Sequence, residues 1–275
     1  MTEIKHNMGR DYYNISASPS RLNDPVSKSL LWFFYQSPYK FLNTPKQMES
    51  TPAMVFGSLA HCALLTPELL DEEFIVSPFD KYTTKESREW RDDQAGSGKM
   101  IVKQEELDRA NDIADTVRAC HEFPMVYSTE VAVFGDIGDV SIKGMIDIVP
   151  EEGNALYDLK TTANLESLDE LQRTILNRGY HWQAALYLDL WNAATGETRD
   201  EFVFIFVETK PPYETAFVKL SGNFIDLGRS GAGHKYPGYL DAIQKWKECV
   251  RHDDWPRRVE GMQTIDIPAW ITKTK

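Results

Sequence analysis

Residues 143–162 read KGMIDIVPEEGNALYDLKTT and predict a β-hairpin. Two short apolar runs, 145–149 and 155–159, have the β-branched and aromatic content of strands. Residues 150–154, PEEGN, lie between them and supply the proline, glycine and asparagine typical of a turn. The hairpin is therefore predicted to be the centre of a sheet, with the rest of the chain packed around it.

Three charged residues interrupt these apolar strands. Asp147 lies in the first strand, and Asp158 and Lys160 lie in the second. Because side chains alternate along a strand, Asp158 and Lys160 are expected on one face. Two acids and a lysine on a buried sheet carry a desolvation cost unless a cation and an anionic substrate join them. The alternative is an ion-pair cluster on an exposed sheet.

The order of these residues resembles the PD-(D/E)xK nuclease core, here as Asp147 followed by Asp158-Leu159-Lys160. Two flanking motifs extend the resemblance: GSLAH at residues 57–61 and QAALY at residues 183–187. They resemble the histidine and QxxxY motifs of the exonuclease branch of that superfamily. The ordered set is most similar to the RecE-type exonucleases (exodeoxyribonuclease VIII nuclease domain), which are often phage-encoded.

The resemblance implies a catalytic centre of Asp147, Asp158 and Lys160. Magnesium prefers oxygen ligands from one or two carboxylates plus water and phosphate, and Mn²⁺ can substitute for it. The two aspartates, the Leu159 backbone carbonyl and His61 are expected to hold the metal, with Glu130 as a further ligand. The alternatives are that His61 is a satisfied core histidine and that Glu130 is an exposed acid at a strand end.

The resemblance also implies DNA contacts. Gln183 and Tyr187 are four residues apart, hence on one helix face, and are expected to hold the strand next to the metal. The competing account of Tyr187 is a buried structural tyrosine. The polar segment 80–104 offers Lys85 and Arg88, which either touch DNA from a flexible arm or belong to a solvated charged helix.

The expected fold is α/β: a restriction-endonuclease-like core, in which a central mixed β-sheet is flanked by helices, with a helical N-terminal lead-in. Residues 1–275 are predicted to form a single nuclease domain, mostly helical over 1–125, with the core sheet and C-terminal helices over 126–275. Ser18-Pro19 predicts the first helix start, with apolar positions at Leu22, Val26 and Leu30.

The composition is that of a globular protein, with 42% hydrophobic and 26% charged residues. The net charge of −12 argues against non-specific wrapping of nucleic acid unless the basic residues are concentrated in one cleft. The three cysteines form no CxxC pair, which favours a reducing compartment and excludes a four-cysteine iron–sulfur cluster. No signal peptide or membrane span is predicted.

The sequence therefore predicts a magnesium-dependent DNA exonuclease acting on linear duplex ends. The resemblance implies 5′→3′ polarity, 3′ single-stranded overhangs for recombination, a homo-oligomeric ring, a single-strand annealing partner of RecT type, and a location in the bacterial host cytoplasm. Two alternatives remain: another PD-(D/E)xK nuclease, either an endonuclease or a single-strand exonuclease, and a catalytically idle DNA-binding subunit.

Overall fold

A mixed sheet organises the structure, a computed structural model that describes residues 2–6, 8, 12, 15, 24–44, 51–165, 167–233 and 235–267. Its strands are β1 (Glu3–Lys5), β2 (Val26–Ser27), β5 (Tyr127–Ile137), β6 (Val140–Pro150), β7 (Ala155–Thr162), β8 (Glu201–Glu208) and β9 (Thr215–Lys219), while β3 (Phe74–Val76) and β4 (Met100–Val102) form a separate parallel pair. The helices in the described residues are α1 (Lys28–Gln36), α2 (Pro38–Asn43), α3 (Pro52–Leu65), α4 (Leu70–Glu73), α5 (Lys85–Ala95), α6 (Gln104–Arg118), α7 (Leu168–Asn177), α8 (Tyr180–Thr195), α9 (Gly222–Ser230) and α10 (Tyr239–His252).

The strand order is β1-β5-β6-β7-β8-β9, and β2 joins the sheet through β6. The pairs β7–β8 and β2–β6 are parallel, whereas β1–β5, β5–β6, β6–β7 and β8–β9 are antiparallel. The long segment between β7 and β8 contains α7 and α8, as a parallel crossover requires. The predicted mixed sheet and the predicted hairpin are both confirmed.

Strand β6 has two different neighbours along one edge, and this creates a fork. Near its C-terminal end Ile148 is registered with Tyr157 of β7, whereas near its N-terminal end Ile142 is registered with Val26 of β2. Between these two points lies the part of β6 that contains Asp147. Because β6 changes its neighbour here, side chains from the helices, such as that of His61, can reach the strands at this point.

The hairpin is closed at its other end by Arg199. Its guanidinium donates to the carbonyl oxygens of Pro150 and Ala155, at 2.9 and 3.1 Å, and to Glu197 at 2.6 Å. Pro150 ends β6 and Ala155 begins β7, so one buried side chain ties the two strands together beside the turn.

Helices cover both faces of the sheet. On one face α1, α8 and α10 surround a core that includes Phe34, Trp182, Phe204 and Trp246, all of which are almost fully buried. On the other face α3 and α6 pack over β7 and β8 through a second cluster. The larger second-cluster residues include Leu59, Ile113, Leu159 and Ile205. None of the helices in the described ranges combines the length and apolarity needed to cross a bilayer.

Several predicted boundaries need correction. The sequence predicts Val26 in a helix, but this residue lies in β2, and the first described helix begins at Lys28 with Ser27 as its N-cap. Ser18, Pro19 and Leu22 lie outside the described residues. The short strands β3 and β4 and helix α9 were not predicted, because each is too brief or too polar to show a clear period. The division of the chain at residue 126 remains a prediction.

Candidate active site

The carboxylates of the hairpin face each other across the fork. Asp147 and Asp158 lie one residue beyond the registered pair Ile148–Tyr157. Asp147 Oδ2 accepts the backbone N–H of Leu159 at 2.8 Å. The backbone N–H of Leu159 is thus satisfied by a side-chain oxygen of β6 and not by a backbone carbonyl of β6. The regular pairing of the two strands is therefore interrupted where the two acids meet.

Asp158 has a protein partner on each carboxylate oxygen. Its Oδ2 forms an ion pair with Lys160, and its Oδ1 accepts a hydrogen bond from the Gln183 side-chain amide. Asp158 is only 2% exposed and Asp147 8%. The alternative of an ion-pair cluster on an exposed sheet is therefore wrong, and Asp158 and Lys160 share a face as predicted.

His61 extends from α3 and lies between the two strands. Its Nε2 is 3.0 Å from the Leu159 carbonyl oxygen, and its Nδ1 is 3.5 Å from Asp147 Oδ2. Burial lowers the pKa of His61 to about 4, so the ring is neutral near pH 7. Because a carbonyl only accepts, Nε2 carries the hydrogen, and the lone pair of Nδ1 faces the Asp147 carboxylate.

The negative charges outnumber the positive ones at this point. Burial, together with the neighbouring Asp158, raises the pKa of Asp147 well above its ordinary value. Burial alone would lower the pKa of Lys160, but Asp158 and Asp147 more than offset this and raise it. Lys160 is therefore a fixed cation beside Asp158, and the group of Asp147, Asp158 and Lys160 has one negative charge in excess when both aspartates ionise.

These features fit a divalent cation. His61 Nδ1 and Asp147 Oδ2 are 3.5 Å apart, and both atoms are of kinds that bind metal ions. Asp158 Oδ2 is buried and has no hydrogen bond apart from its ion pair with Lys160. Among the described residues no three His, Cys, Asp or Glu side chains converge as a ready-made metal cage. The donor set therefore matches an ion that takes one or two carboxylates and completes its coordination with water and substrate.

Glu130 lies beside this group, in an unusual backbone conformation. The β5–β6 register passes from Thr129–Ile148 to Val131–Ile146, and Glu130 between them has φ of 46°. Such a value is strained for a glutamate. Burial and the nearby Glu73 and Glu68 raise the pKa of its carboxyl. The structure brings Glu130 near Asp147, while its role as a metal ligand remains a prediction.

Gln183 and Tyr187 both point from α8 toward the fork, with contacts that the sequence did not predict. The Gln183 amide donates to Asp158 Oδ1 and so orients that carboxylate. Tyr187 is buried, and its ring leaves no space for a side chain at Gly144, where an added Cβ would lie 2.9 Å from it. Tyr187 thus packs on β6 at Gly144, in agreement with the structural alternative, and its contact with DNA remains a prediction.

Lys85 and Arg88 are not brought to the fork. Lys85 pairs with Glu89 at 3.6 Å, and Arg88 donates to the carbonyls of Thr84 and Thr83. No hydrogen bond or ion pair within the described parts of the chain joins either residue to Asp158. They belong to the exposed charged helix α5, and their proposed contact with DNA has no support from this arrangement.

Lys28 is a buried cation near the fork that sequence reasoning missed. It is 6% exposed, and its ammonium donates to the Arg178 carbonyl at 2.9 Å. Burial and, after it, the nearby Lys160 lower the pKa of Lys28 to about 7, although Asp158 acts in the opposite direction. One signal was available: Lys28 begins α1, where the helix dipole disfavours a cation.

A family comparison accounts for most of the chain. The model of a family described as "PDDEXK-like domain of unknown function (DUF3799)" matches residues 27–268. This range contains His61, Asp147, Asp158, Lys160 and Gln183. No curated protein is detectably similar to the chain in sequence.

One solved structure shares the fold over nearly the whole length. It is a candidate exonuclease from Eubacterium rectale, 16% identical, with a TM-score of 0.59 over 96% of this chain and 97% of that one. A phage-related exonuclease from Haemophilus somnus (13% identical, TM-score 0.33, 79% and 94% covered) and Candida albicans Rai1 in complex with pU5–Mn²⁺ (15%, 0.30, 86% and 68%) are weaker matches. Similarity at those two TM-scores does not bear on the fold or the function of this chain.

Proposed function

This chain belongs to the family of PDDEXK-like domains (DUF3799), and from that premise we propose that it is a metal-dependent DNA exonuclease that degrades linear duplex DNA from an end. The observation that carries the proposal is the buried group of Asp147, Asp158 and Lys160 where β6 and β7 separate. A protein gains no stability from two buried acids sharing one lysine, which favours a functional reason for the arrangement.

A divalent ion, Mg²⁺ or Mn²⁺ in its place, would be held by Asp147 and Asp158, with the Leu159 carbonyl and His61 alongside. When bound, such an ion makes water nucleophilic at neutral pH and offsets charge on the phosphate. Lys160 places a permanent positive charge beside Asp158, where the phosphate becomes more negative during hydrolysis. Gln183 keeps the Asp158 carboxylate in a single orientation.

The finer features of the proposal come from the resemblance to RecE-type enzymes. The enzyme would act with 5′→3′ polarity and leave 3′ single-stranded overhangs for recombination. It would form a ring-shaped homo-oligomer around the duplex and work with a RecT-type annealing partner. It would be encoded by a phage and act in the cytoplasm of the bacterial host. We carry these to the chain as parts of the same proposal.

The test uses purified protein with two substrates, in Mg²⁺ or in EDTA. One is linear duplex DNA labelled at either the 5′ or the 3′ end, and the other is covalently closed circular duplex DNA. We expect metal-dependent degradation of the linear form alone, with the 5′ label released first. Cleavage of closed circles would establish an endonuclease instead. DNA binding with no degradation in Mg²⁺ or Mn²⁺ would indicate an idle binding subunit and would refute the proposal.

A further inference from the structure

A second concave site lies on the face of the sheet covered by α1, α8 and α10. It is a cavity of about 500 Å³, which we call the basic cavity. Its walls come from α1, the start of α2, the end of α7, the start of α8, residues 235–237, α10 and the segment after α10. None of the proposed catalytic residues lines it, so it is separate from the candidate active site.

The charge of the basic cavity is opposite to that of the protein. Lys235, Lys245, Arg257 and Arg258 line it, whereas the chain as a whole has a net charge of −12 and no Asp or Glu is among the lining residues. Within the described residues none of these four cations forms an ion pair with a carboxylate. Burial and, after it, the carboxylate of Asp241 raise the pKa of Tyr35, so this acid lies near the cavity without pairing with its cations. The lining of the cavity is thus a local concentration of positive charge.

Aromatic rings lie among these cations. Trp32 and Tyr35 are half-buried and Tyr236 is 41% exposed, so part of each ring is accessible from the cavity. The Lys245 ammonium is 4.9 Å from the centre of the Tyr35 ring. Trp32 packs edge-on against the buried Trp182, with ring centres 4.7 Å apart, which keeps Trp32 in one position. Cations interleaved with aromatic faces are the pattern that binds phosphates and unstacked bases together.

A line of contacts connects the basic cavity with the candidate active site. The Lys160 ammonium lies 5.0 Å from the centre of the Tyr180 ring. The ammonium of Lys28 is 5.3 Å from the centre of the same ring and 5.9 Å from the centre of the Trp32 ring. Trp32 lines the cavity. Cations and aromatic rings therefore alternate from Lys160 of the candidate active site to Trp32 of the cavity.

We propose that the basic cavity binds a single-stranded segment of DNA. The proposal rests on the proposed nuclease function and names where that enzyme holds unpaired DNA. Duplex DNA is a poor occupant because its base faces are stacked and cannot reach Trp32 or Tyr35, whereas a single strand offers bases and phosphates together.

The first test measures binding of a fluorescent fifteen-residue oligothymidylate by anisotropy, in EDTA so that no cleavage occurs. The double variant Lys245→Gln/Arg258→Gln should bind at least fivefold more weakly, and the slope of log affinity against log salt should fall by about 0.7 for each phosphate that the variant no longer neutralises. Tyr35→Ala should weaken binding roughly tenfold because a base can no longer stack on the ring. The matched control is Lys219→Gln, an exposed lysine of β9 paired with Glu201 and distant from the cavity.

Unchanged affinity and salt slope in the double variant would overturn the proposal, provided that thermal melting shows it folded. Displacement of the oligonucleotide by thymidine monophosphate at an equal concentration would also overturn it, because the cavity would then be a mononucleotide site. A second measurement needs no variant: a bromodeoxyuridine-substituted strand should cross-link to the peptides that carry Trp32, Tyr35 or Tyr236. Cross-links confined to other peptides would contradict the assignment.

The two proposals can fail separately. If the wild-type protein binds the oligonucleotide through these residues but never hydrolyses DNA in Mg²⁺ or Mn²⁺, the nuclease function falls and the binding site stands. If the protein hydrolyses DNA while the cavity variants bind and cleave like the wild type, the function stands and the binding site falls.

Discussion

The two ends of the β6–β7 hairpin each bury charged side chains, but the partners of those charges differ. At the turn, Arg199 has donors directed at two carbonyls and one carboxylate, all in ordinary hydrogen bonds. At the fork, Asp147 and Asp158 compete for Lys160, and a histidine lone pair faces a carboxylate oxygen. A buried charge with every partner in place stabilises the strands, whereas buried charges short of one partner indicate that a ligand completes the set.

The largest effect should come from Asp158→Asn. We expect the rate of hydrolysis of linear duplex to fall more than about 10³-fold, since the metal and the Lys160 ion pair both depend on this carboxylate. Stability should change by less than about 1 kcal/mol, because Lys160 keeps Asp147 as a partner and the repulsion between two buried acids is relieved. Single-turnover kinetics and urea unfolding measure the two effects.

The control for this variant is Asp226→Asn, which removes an exposed acid paired with Arg229. It should keep both rate and stability. A rate within tenfold of wild type for Asp158→Asn would mean that the fork is not the active site.

Arg199→Leu should lower stability and leave the rate of hydrolysis nearly unchanged, the reverse of the result expected for Asp158→Asn. Removal of the guanidinium leaves the Pro150 and Ala155 carbonyls without this donor and the Glu197 carboxylate with only the Trp191 indole, at a cost of about 3 kcal/mol in the free energy of unfolding. The rate per folded molecule should stay within twofold of wild type. Arg251→Leu, which removes an exposed partner of Asp139, serves as the control and should lose much less stability. If Arg199→Leu abolished hydrolysis at full stability, the contrast between the two ends would be wrong.

Gln183→Ala should lower the rate by a smaller factor, about 10- to 100-fold, because the Asp158 carboxylate loses the group that orients it. The concentration of Mg²⁺ that gives half-maximal rate should rise, while affinity for duplex DNA in EDTA stays the same. A large loss of DNA affinity with unchanged metal dependence would instead assign Gln183 to DNA binding, as its position in the QxxxY motif first predicted.

Tyr187→Phe should have the smallest effect. Its ring packs on Gly144 and its hydroxyl lies near the Met145 backbone, so removal of the hydroxyl alone leaves most of the packing in place. We expect a rate within about tenfold of wild type, in the range of a single hydrogen bond. A loss as large as that of Asp158→Asn would show that the phenol takes part in the chemistry.

Much of the fold and part of the site followed from local patterns. Alternation of apolar residues and the residues of the turn predicted both strands of the hairpin, and the i, i+2 spacing of Asp158 and Lys160 placed them on one face. In the sequence, residues 201–208 also indicate a strand and Thr51-Pro52 a helix start, and the structure has β8 and α3 at these places. These features depend on near neighbours in the chain, which a sequence displays directly.

Contacts between distant segments could be decided only by the tertiary structure. His61 bridges Leu159 and Asp147 because α3 packs on β7, Lys28 reaches the fork because β2 joins β6 beside it, and Arg199 closes the hairpin from the start of β8. The basic cavity likewise collects cations from three separate segments. Spacing along the chain determined which side chains share a strand face, but the burial and pairing that set their charge balance arise only when the helices pack over the sheet.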